Sequence, residues 1–210
     1  MRTGVPSRPE QGALPVVEIS TTAKEPMGRP NLMGGIELSD ATLHDYQDIA
    51  ALQTESWRSA YRGILPGSYL DGPILGERET YWQNLMLSPG GNRRRVCLAK
   101  DCGALLGFAC VLLDEEPAWG ARLDNIHVRP AYKGRGTGRL LFRSAAEWVS
   151  SCEPQWPMHL FVFEANHSAR RFYEALGGKV VEQYTQKTPA GVVVPSLRFL
   201  WQKPRTIPNL

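Results

Sequence analysis

The chain has 210 residues, of which 42% are hydrophobic, and a formal net charge of +3 at pH 7. This length suits one ordinary domain, and no apolar run approaches the length of a membrane span. So small a net charge gives no support for a nucleic-acid binder, which needs a concentrated basic face.

The termini differ in composition from the rest of the chain. Residues 1–35 contain scattered prolines without a sustained period, which predicts an extended or disordered leader, or an arm on a partner subunit. They lack the apolar core of a secretion signal. The folded domain is expected over 36–202, with a loose tail over 203–210.

Alternating helical and strand patterns fill the predicted domain. In chain order they predict a strand at 36–38, helices over 41–57 and 76–87, strands over 95–99, 105–113 and 123–128, a helix over 140–150, a strand over 157–163, a helix over 166–176, and strands over 179–188 and 196–201. This order indicates an α+β three-layer fold. Its mixed, mostly antiparallel sheet has about seven strands and about four flanking helices.

The four cysteines form no C-x-x-C pair, and no histidine stands at zinc-ligand spacing from them. They are expected to be free thiols in a reducing cytoplasm, without a metal.

A glycine-rich turn joins the strand that ends near Val128 to the following helix. Its alternating glycines are flanked by basic residues in Lys133-Gly134-Arg135-Gly136-Thr137-Gly138-Arg139. Such a turn directs several unpaired N–H groups to one place beside the positive end of the helix dipole. The pattern predicts a site for phosphate.

Two common phosphate-binding motifs do not fit this turn. A Walker loop needs Lys-Ser or Lys-Thr after its second glycine, but Gly138 is followed by Arg139-Leu140. A dinucleotide fingerprint needs G-x-G-x-x-G, and the spacing here is one residue too short.

The turn resembles the acetyl-coenzyme A loop of the GNAT superfamily of N-acetyltransferases. Val128-Arg129-Pro130 supplies the strand ending V-x-P, and residues 133–138 supply [QR]-x-x-G-x-[GA], with Lys133 as a mild departure. A second stretch, Asn166 to Gly178, resembles the family pattern N-x-x-A-x-x-x-Y-x-x-x-G-[FG]. The element order from about Ile36 to Trp201 matches the same family.

The resemblance implies an acetyl-CoA site and a role for several residues. The expected cofactor contacts are Ile126, His127, Val128, Lys133, Gly134, Arg135, Gly136, Thr137, Gly138, Arg139, Asn166 and Tyr173. The Val128 amide would face the acetyl carbonyl, and Asn166 would bond the pantetheine arm. Tyr173, two helical turns after Asn166, would protonate the leaving thiolate, whose thiol has a pKa comparable to that of a phenol.

The acceptor side and the catalytic base are less sharply defined. Trp57 and Tyr61 resemble a W-R-x-A-Y-x-G-I-L-P stretch on the acceptor side of many bacterial members, although core packing explains them equally well. Asp124 is the expected base because a regular strand would place it on the same face as Val128, with His127 pointing the other way unless a bulge intervenes. Glu164 is a spare candidate. Phe161 occupies the place where some peptide-acetylating members carry Glu.

These patterns predict an acetyl-CoA-dependent N-acetyltransferase in which a primary amine attacks directly. The acceptor is a small molecule or a peptide, and a protein N-terminus or lysine is an alternative. The rival from another class is a non-catalytic acyl-CoA sensor. No metal, nucleic acid or membrane partner is expected, and a homodimer is left open.

Overall fold

The computed structural model describes residues 35–88 and 93–204. The predicted leader therefore lies outside the described residues except for Gly35, and the predicted tail is described only through Pro204.

Seven strands and five helices make up the described part of the chain. The strands are β1 (Glu37–Asp40), β2 (Arg94–Asp101), β3 (Ala104–Glu116), β4 (Gly120–Val128), β5 (Met158–Phe163), β6 (Lys179–Lys187) and β7 (Val193–Trp201). The helices are α1 (Tyr46–Ala60), α2 (Gly67–Leu70), α3 (Ile74–Leu87), α4 (Thr137–Cys152) and α5 (His167–Ala175).

The strands form one mixed sheet in the order β1-β2-β3-β4-β5-β7-β6. Neighbouring strands are antiparallel except β4 and β5, which are parallel. The predicted fold class is confirmed. The helix beyond the predicted four is α2, a single turn too short to produce a periodic pattern.

Two boundaries show how local chemistry sets the elements. The β2–β3 hairpin turns at Cys102 (φ 47°) and Gly103 (φ 81°), the positive-φ pair of a two-residue hairpin, as predicted. The first strand continues through Asp40, and α1 begins only at Tyr46, because a capping box between Thr42 and Asp45 opens a short 3-10 turn first.

Hydrophobic side chains cover both faces of the sheet. On one face α4 and α5 pack against Leu123, Ile126 and Val128 of β4. On the other face Ile49 and Leu52 of α1, with α3, cover β2 and β3. The site described below lies along β4, between these two layers.

A bulge at Asp124 corrects the predicted orientation of β4. Cys110 pairs with Asn125 and Val111 with Leu123, so Asp124 is an extra residue without an opposite partner. Asp124, Asn125 and His127 consequently face α1 and α3, whereas Val128 faces α4. The prediction that Asp124 shares the face of Val128 was therefore wrong, whereas His127 points away from Val128 as predicted.

Candidate active site

The glycine-rich turn has the backbone of an anion site. Gly134 (φ 76°) and Gly136 (φ 85°) both adopt the left-handed conformation that favours glycine. Gly136 is the N-cap of α4, and Leu140 donates the first intrahelical bond to its carbonyl at 3.0 Å. The N–H groups of residues 137–139 thus have no acceptor within the helix.

The surface around this turn leaves room for a ligand. Gly134, Arg135 and Gly136 are exposed, and a Cβ built on Gly136 would meet no atom within 4 Å. Arg135 stacks over the ring of Tyr132, 5.0 Å from Cζ to the centroid. The predicted diphosphate site therefore fits these residues.

Strands β4 and β5 are paired only at their beginnings. Their parallel register covers Ala121–Met158 and Arg122–His159. Beyond these two pairs the two strands share no ladder, which leaves an opening in the sheet on the carboxyl side of β4.

The ladder with β3 directs the backbone of Val128 toward this opening. Arg129 donates to the carbonyl of Leu106 at 2.8 Å, so Gly107 and Val128 form a non-hydrogen-bonded pair. The N–H and C=O of Val128 therefore point away from β3, and those of Ile126 do the same by alternation. The predicted contacts Ile126 and Val128 lie at the opening, but the side chain of His127 turns toward α1.

Tyr173, on α5, has a buried hydroxyl without a hydrogen-bond partner among the described residues. The rings of Phe199 and Trp201 lie 5.8 Å and 5.9 Å from its own. This burial raises the pKa of Tyr173 well above that of a free phenol. Its hydroxyl thus keeps its proton and is available as a donor.

Asn166 caps α5 with its side-chain oxygen, and its side-chain nitrogen is not used by the cap. Its side-chain oxygen accepts from the N–H of Ala169 at 3.2 Å. Its Nδ2 is buried and makes no hydrogen bond within the described part of the chain. A donor left in this state suits a ligand carbonyl.

Trp57 and Tyr61 are both buried, at the end of α1. Their ring centroids are 5.7 Å apart, and the ring of Tyr61 lies 4.8 Å from that of Phe163 on β5. Burial, and then the nearby Tyr173, raise the pKa of Tyr61 well above its ordinary value. Trp57, Tyr61 and Phe163 thus form a row of packed aromatic rings that ends at the last residue of β5. The contact of Trp57 and Tyr61 with an acceptor stays a prediction.

Asp124 lies in a buried polar network, not at an open surface. Its Oδ2 accepts from the hydroxyl of Tyr81 at 3.0 Å and from Nδ2 of Asn125 at 2.7 Å. Its Oδ1 lies 3.0 Å from Nη2 of Arg122. Oδ2 therefore accepts two hydrogen bonds, whereas Oδ1 is buried against Arg122 and accepts none among the described residues.

The network continues into α1 and α3 through residues that no sequence motif predicts. The indole N–H of Trp82 donates to Gln53 at 2.7 Å, and Gln53 donates to Asn125 at 2.7 Å. His127 lies 3.2 Å from the Ser56 hydroxyl. The available signal was polar Gln53 and Ser56 on the apolar face of α1, where a buried polar residue requires a partner.

The remaining base candidate, Glu164, follows β5 directly. Its carboxylate accepts from Nε2 of Gln183 on β6 at 3.1 Å.

Within the described residues, no group of three or more His, Cys, Asp and Glu side chains could hold a metal ion. None of the described helices has the length and apolar character needed to cross a membrane.

The chain is similar in sequence to known acetyltransferases. Residues 50–178 match the sequence profile described as "Acetyltransferase (GNAT) family". The uncharacterized N-acetyltransferase YuaI of Bacillus subtilis is 29% identical over 143 residues, which cover 67% of this chain and 78% of that protein.

Solved structures show the same fold at lower identity. The PaiA N-acetyltransferase of Thermoplasma acidophilum, in complex with coenzyme A, superposes with a TM-score of 0.62 at 21% identity over 77% of this chain and 98% of that chain. The putative acetyltransferase YncA of Salmonella typhimurium, with acetyl-CoA, gives 0.60 at 17% identity over 80% and 94%.

The mixed sheet, its opening and the glycine turn at the start of α4 define an acyltransferase. More particularly, the chain belongs to the acetyltransferase (GNAT) family, because the family match covers more than half of its length.

Proposed function

We propose that this protein transfers an acetyl group from acetyl-CoA to a primary amine of a small molecule or peptide. The observation that carries the proposal is the opening between β4 and β5, followed by the exposed glycine turn. Tyr173 belongs to the same buried cluster as Val128, and its hydroxyl has no hydrogen-bond partner among the described residues. The two solved relatives named above hold coenzyme A and acetyl-CoA.

The cofactor contacts follow from the free backbone and side-chain donors. The N–H groups from Gly134 to Arg139 would bind the diphosphate, and Lys133, Arg135 and Arg139 would add positive charge. Nδ2 of Asn166 would donate to a carbonyl of the pantetheine arm. The backbone of Ile126 and Val128 would line the acyl end of the site. His127 would act only by supporting β4.

Direct attack by the amine needs no nucleophile from the protein. Bound acetyl-CoA supplies an activated thioester carbonyl. The Val128 N–H would donate to the acetyl oxygen, where negative charge develops, and Tyr173 would deliver its proton to the sulfur. Asp124 would accept the amine proton through Tyr81 or a water, since its Oδ2 already accepts from Tyr81 and Asn125 and its Oδ1 is buried beside Arg122.

A thiol-release assay with acetyl-CoA and a panel of amines tests the proposal. The panel contains amino acids, polyamines, aminoglycosides, and peptides with a free N-terminus or lysine. Turnover of at least one amine, with mass spectrometry showing an added acetyl group, is the expected result. Tight binding of acetyl-CoA without turnover of any amine would instead identify a sensor.

The proposal includes two further expectations, one about cellular location and one about oligomeric state. We infer a cytoplasmic location, with which the free, buried thiols of Cys97 and Cys110 agree. Light scattering at several protein concentrations would establish whether a homodimer forms.

A further inference from the structure

Arg78 is a buried arginine that pairs with no carboxylate in the described part of the chain. It lies on α3, and only 7% of its surface is exposed. Its guanidinium carbon is 4.8 Å from the ring centroid of Trp57 and 5.2 Å from that of Tyr81. Its Nε is buried without a hydrogen-bond partner, and no carboxylate among the described residues pairs with the guanidinium.

The neighbouring carboxylates are already engaged by other groups. Glu77 accepts from the hydroxyl of Tyr69 at 2.9 Å. Asp124 is paired with Arg122 and accepts from Tyr81. The two aromatic faces stabilise the charge of Arg78 in part, but they satisfy none of its N–H donors.

The position of Arg78 connects it to the opening in the sheet. Trp57, on which it stacks, packs against Tyr61, and Tyr61 packs against Phe163 at the end of β5. The positive charge of Arg78 also contributes to the low pKa of His127 on β4. Arg78 is therefore on the α1–α3 side of the opening. The indole N–H of Trp57 is likewise buried, without a hydrogen-bond partner in the part of the chain that the structure describes.

We propose that Arg78 binds a carboxylate of the acceptor, so that the acceptor is an amine that also carries a carboxylate, such as an amino acid or a small analogue. A guanidinium presents a planar fork of donors that matches a carboxylate in a bidentate pair. The faces of Trp57 and Tyr81 hold this fork in one orientation. The assignment rests on the proposed function and specifies its substrate class.

The same charge argues against acceptors with several amines. A polyamine or a lysine side chain would bring additional cations toward a buried positive group, and like charges at short range in a poorly hydrated site repel strongly. Arg78 thus favours amines that also carry a carboxylate and disfavours amines that carry further positive charges.

Matched pairs of acceptors test this inference. Each pair consists of an amino acid and its carboxamide, which present the same amine with and without the carboxylate. The carboxamide has the less basic amine, so ionisation alone would favour it. We expect the wild-type protein to prefer the acid by about tenfold or more in kcat/KM, mainly through KM.

The variants separate recognition from folding. Arg78→Met keeps a long side chain between the two rings but removes the charge, and we expect it to lose the preference for the acid, with a much larger fall in kcat/KM for the acid than for the carboxamide. Arg143→Met is the matched control, because Arg143 is a half-exposed arginine on α4 whose partner is Glu147. It should leave the preference unchanged.

Three results would overturn the inference. One is an equal rate of the wild type with both members of every pair. Another is an equal loss with both members in Arg78→Met, which would mean a purely structural stack. The third is equal affinity of acid and carboxamide by calorimetry with coenzyme A bound. This last measurement needs no turnover, so the absence of acetylation would count against the proposed function alone.

Discussion

Arg122 and Asp124 lie two residues apart on β4 and form a buried ion pair, with 3.0 Å between Nη2 and Oδ1. The bulge at Asp124 turns this carboxylate toward α3, where the hydroxyl of Tyr81 also reaches it. The bond from Tyr81 thus joins the pair on β4 to α3, the helix that carries Arg78. We expect the stability of the protein to depend on this pair.

Asp124→Asn is expected to lower stability and activity together. The substitution removes the closest counter-ion of a buried guanidinium, and breaking such a pair costs about 3 kcal/mol, since Glu115 and Glu116 lie 3.5 Å and 3.7 Å from Arg122 and compensate only partly. Urea unfolding measures this loss. If Asp124 accepts the amine proton, the acidic limb of the kcat/KM pH profile disappears as well. An unchanged limb would leave Asp124 with a structural role only.

Tyr173→Phe is expected to lower kcat by about 100-fold, because general acid catalysis of this kind contributes two to four orders of magnitude. The free energy of unfolding should stay within about 0.5 kcal/mol or rise, since the deleted hydroxyl is buried without a hydrogen-bond partner among the described residues. Calorimetry should show nearly unchanged affinity for acetyl-CoA. A normal kcat would refute the general-acid role.

Gly136→Val is expected to abolish acetyl-CoA binding and to destabilise the fold by about 1–2 kcal/mol, because φ is 85° at this position. Gly103→Val is the matched control. Its φ is 81°, and a Cβ there also meets nothing within 4 Å. The control should lose similar stability and retain full binding. Loss of binding in both variants would show that the effect of Gly136→Val is not specific to the glycine turn.

Stability should fall as the pH drops from about 6.5 toward 3, and His127 should account for much of the loss. Burial, with the positive charges of Lys133 and Arg78, lowers the pKa of His127 to about 3 in the folded protein. The unfolded chain has a pKa near 6.5, so it takes up the proton first and gains relative stability, by about 2 kcal/mol at pH 5. Above pH 6.5 this contribution to folding is complete.

Unfolding of wild type and His127→Gln between pH 5 and 8 measures this effect. The variant should be less stable at pH 8, because the contacts with Ser56 and Asn125 change, but its stability should vary less with pH. Equal slopes for the two proteins would mean that His127 does not control this pH range.

Much of the fold was predictable because its signals are local. The periods of apolar residues predicted all seven strands, and the Cys102-Gly103 turn follows from residue types that tolerate positive φ. The glycine turn and the Asn166–Tyr173 spacing are contiguous motifs, so they indicated the family before any contact was known. The residue roles built on them remain predictions.

The orientation of Asp124 was not predictable, because a bulge is a property of two strands in register. Period two holds only while each residue of β4 has one partner on β3, and the extra residue at Asp124 changes the face of every residue before it relative to Val128. The polar network of Gln53, Asn125 and Trp82 was not predictable for a similar reason. Gln53 is 29 residues from Trp82 and 72 residues from Asn125 in the sequence.

The sequence by itself determined the order of elements, the glycine turn and the family, because each depends on neighbouring residues. Only the tertiary structure decided which polar groups have partners. Arg78 is one of 24 basic residues in the sequence, and nothing in the order of residues distinguishes it. In the folded protein Glu77 and Asp124 accept hydrogen bonds from tyrosines, and the rings of Trp57 and Tyr81 lie against the Arg78 guanidinium. The sequence does not predict this arrangement, because ion pairing depends on distances between segments that are far apart in the chain.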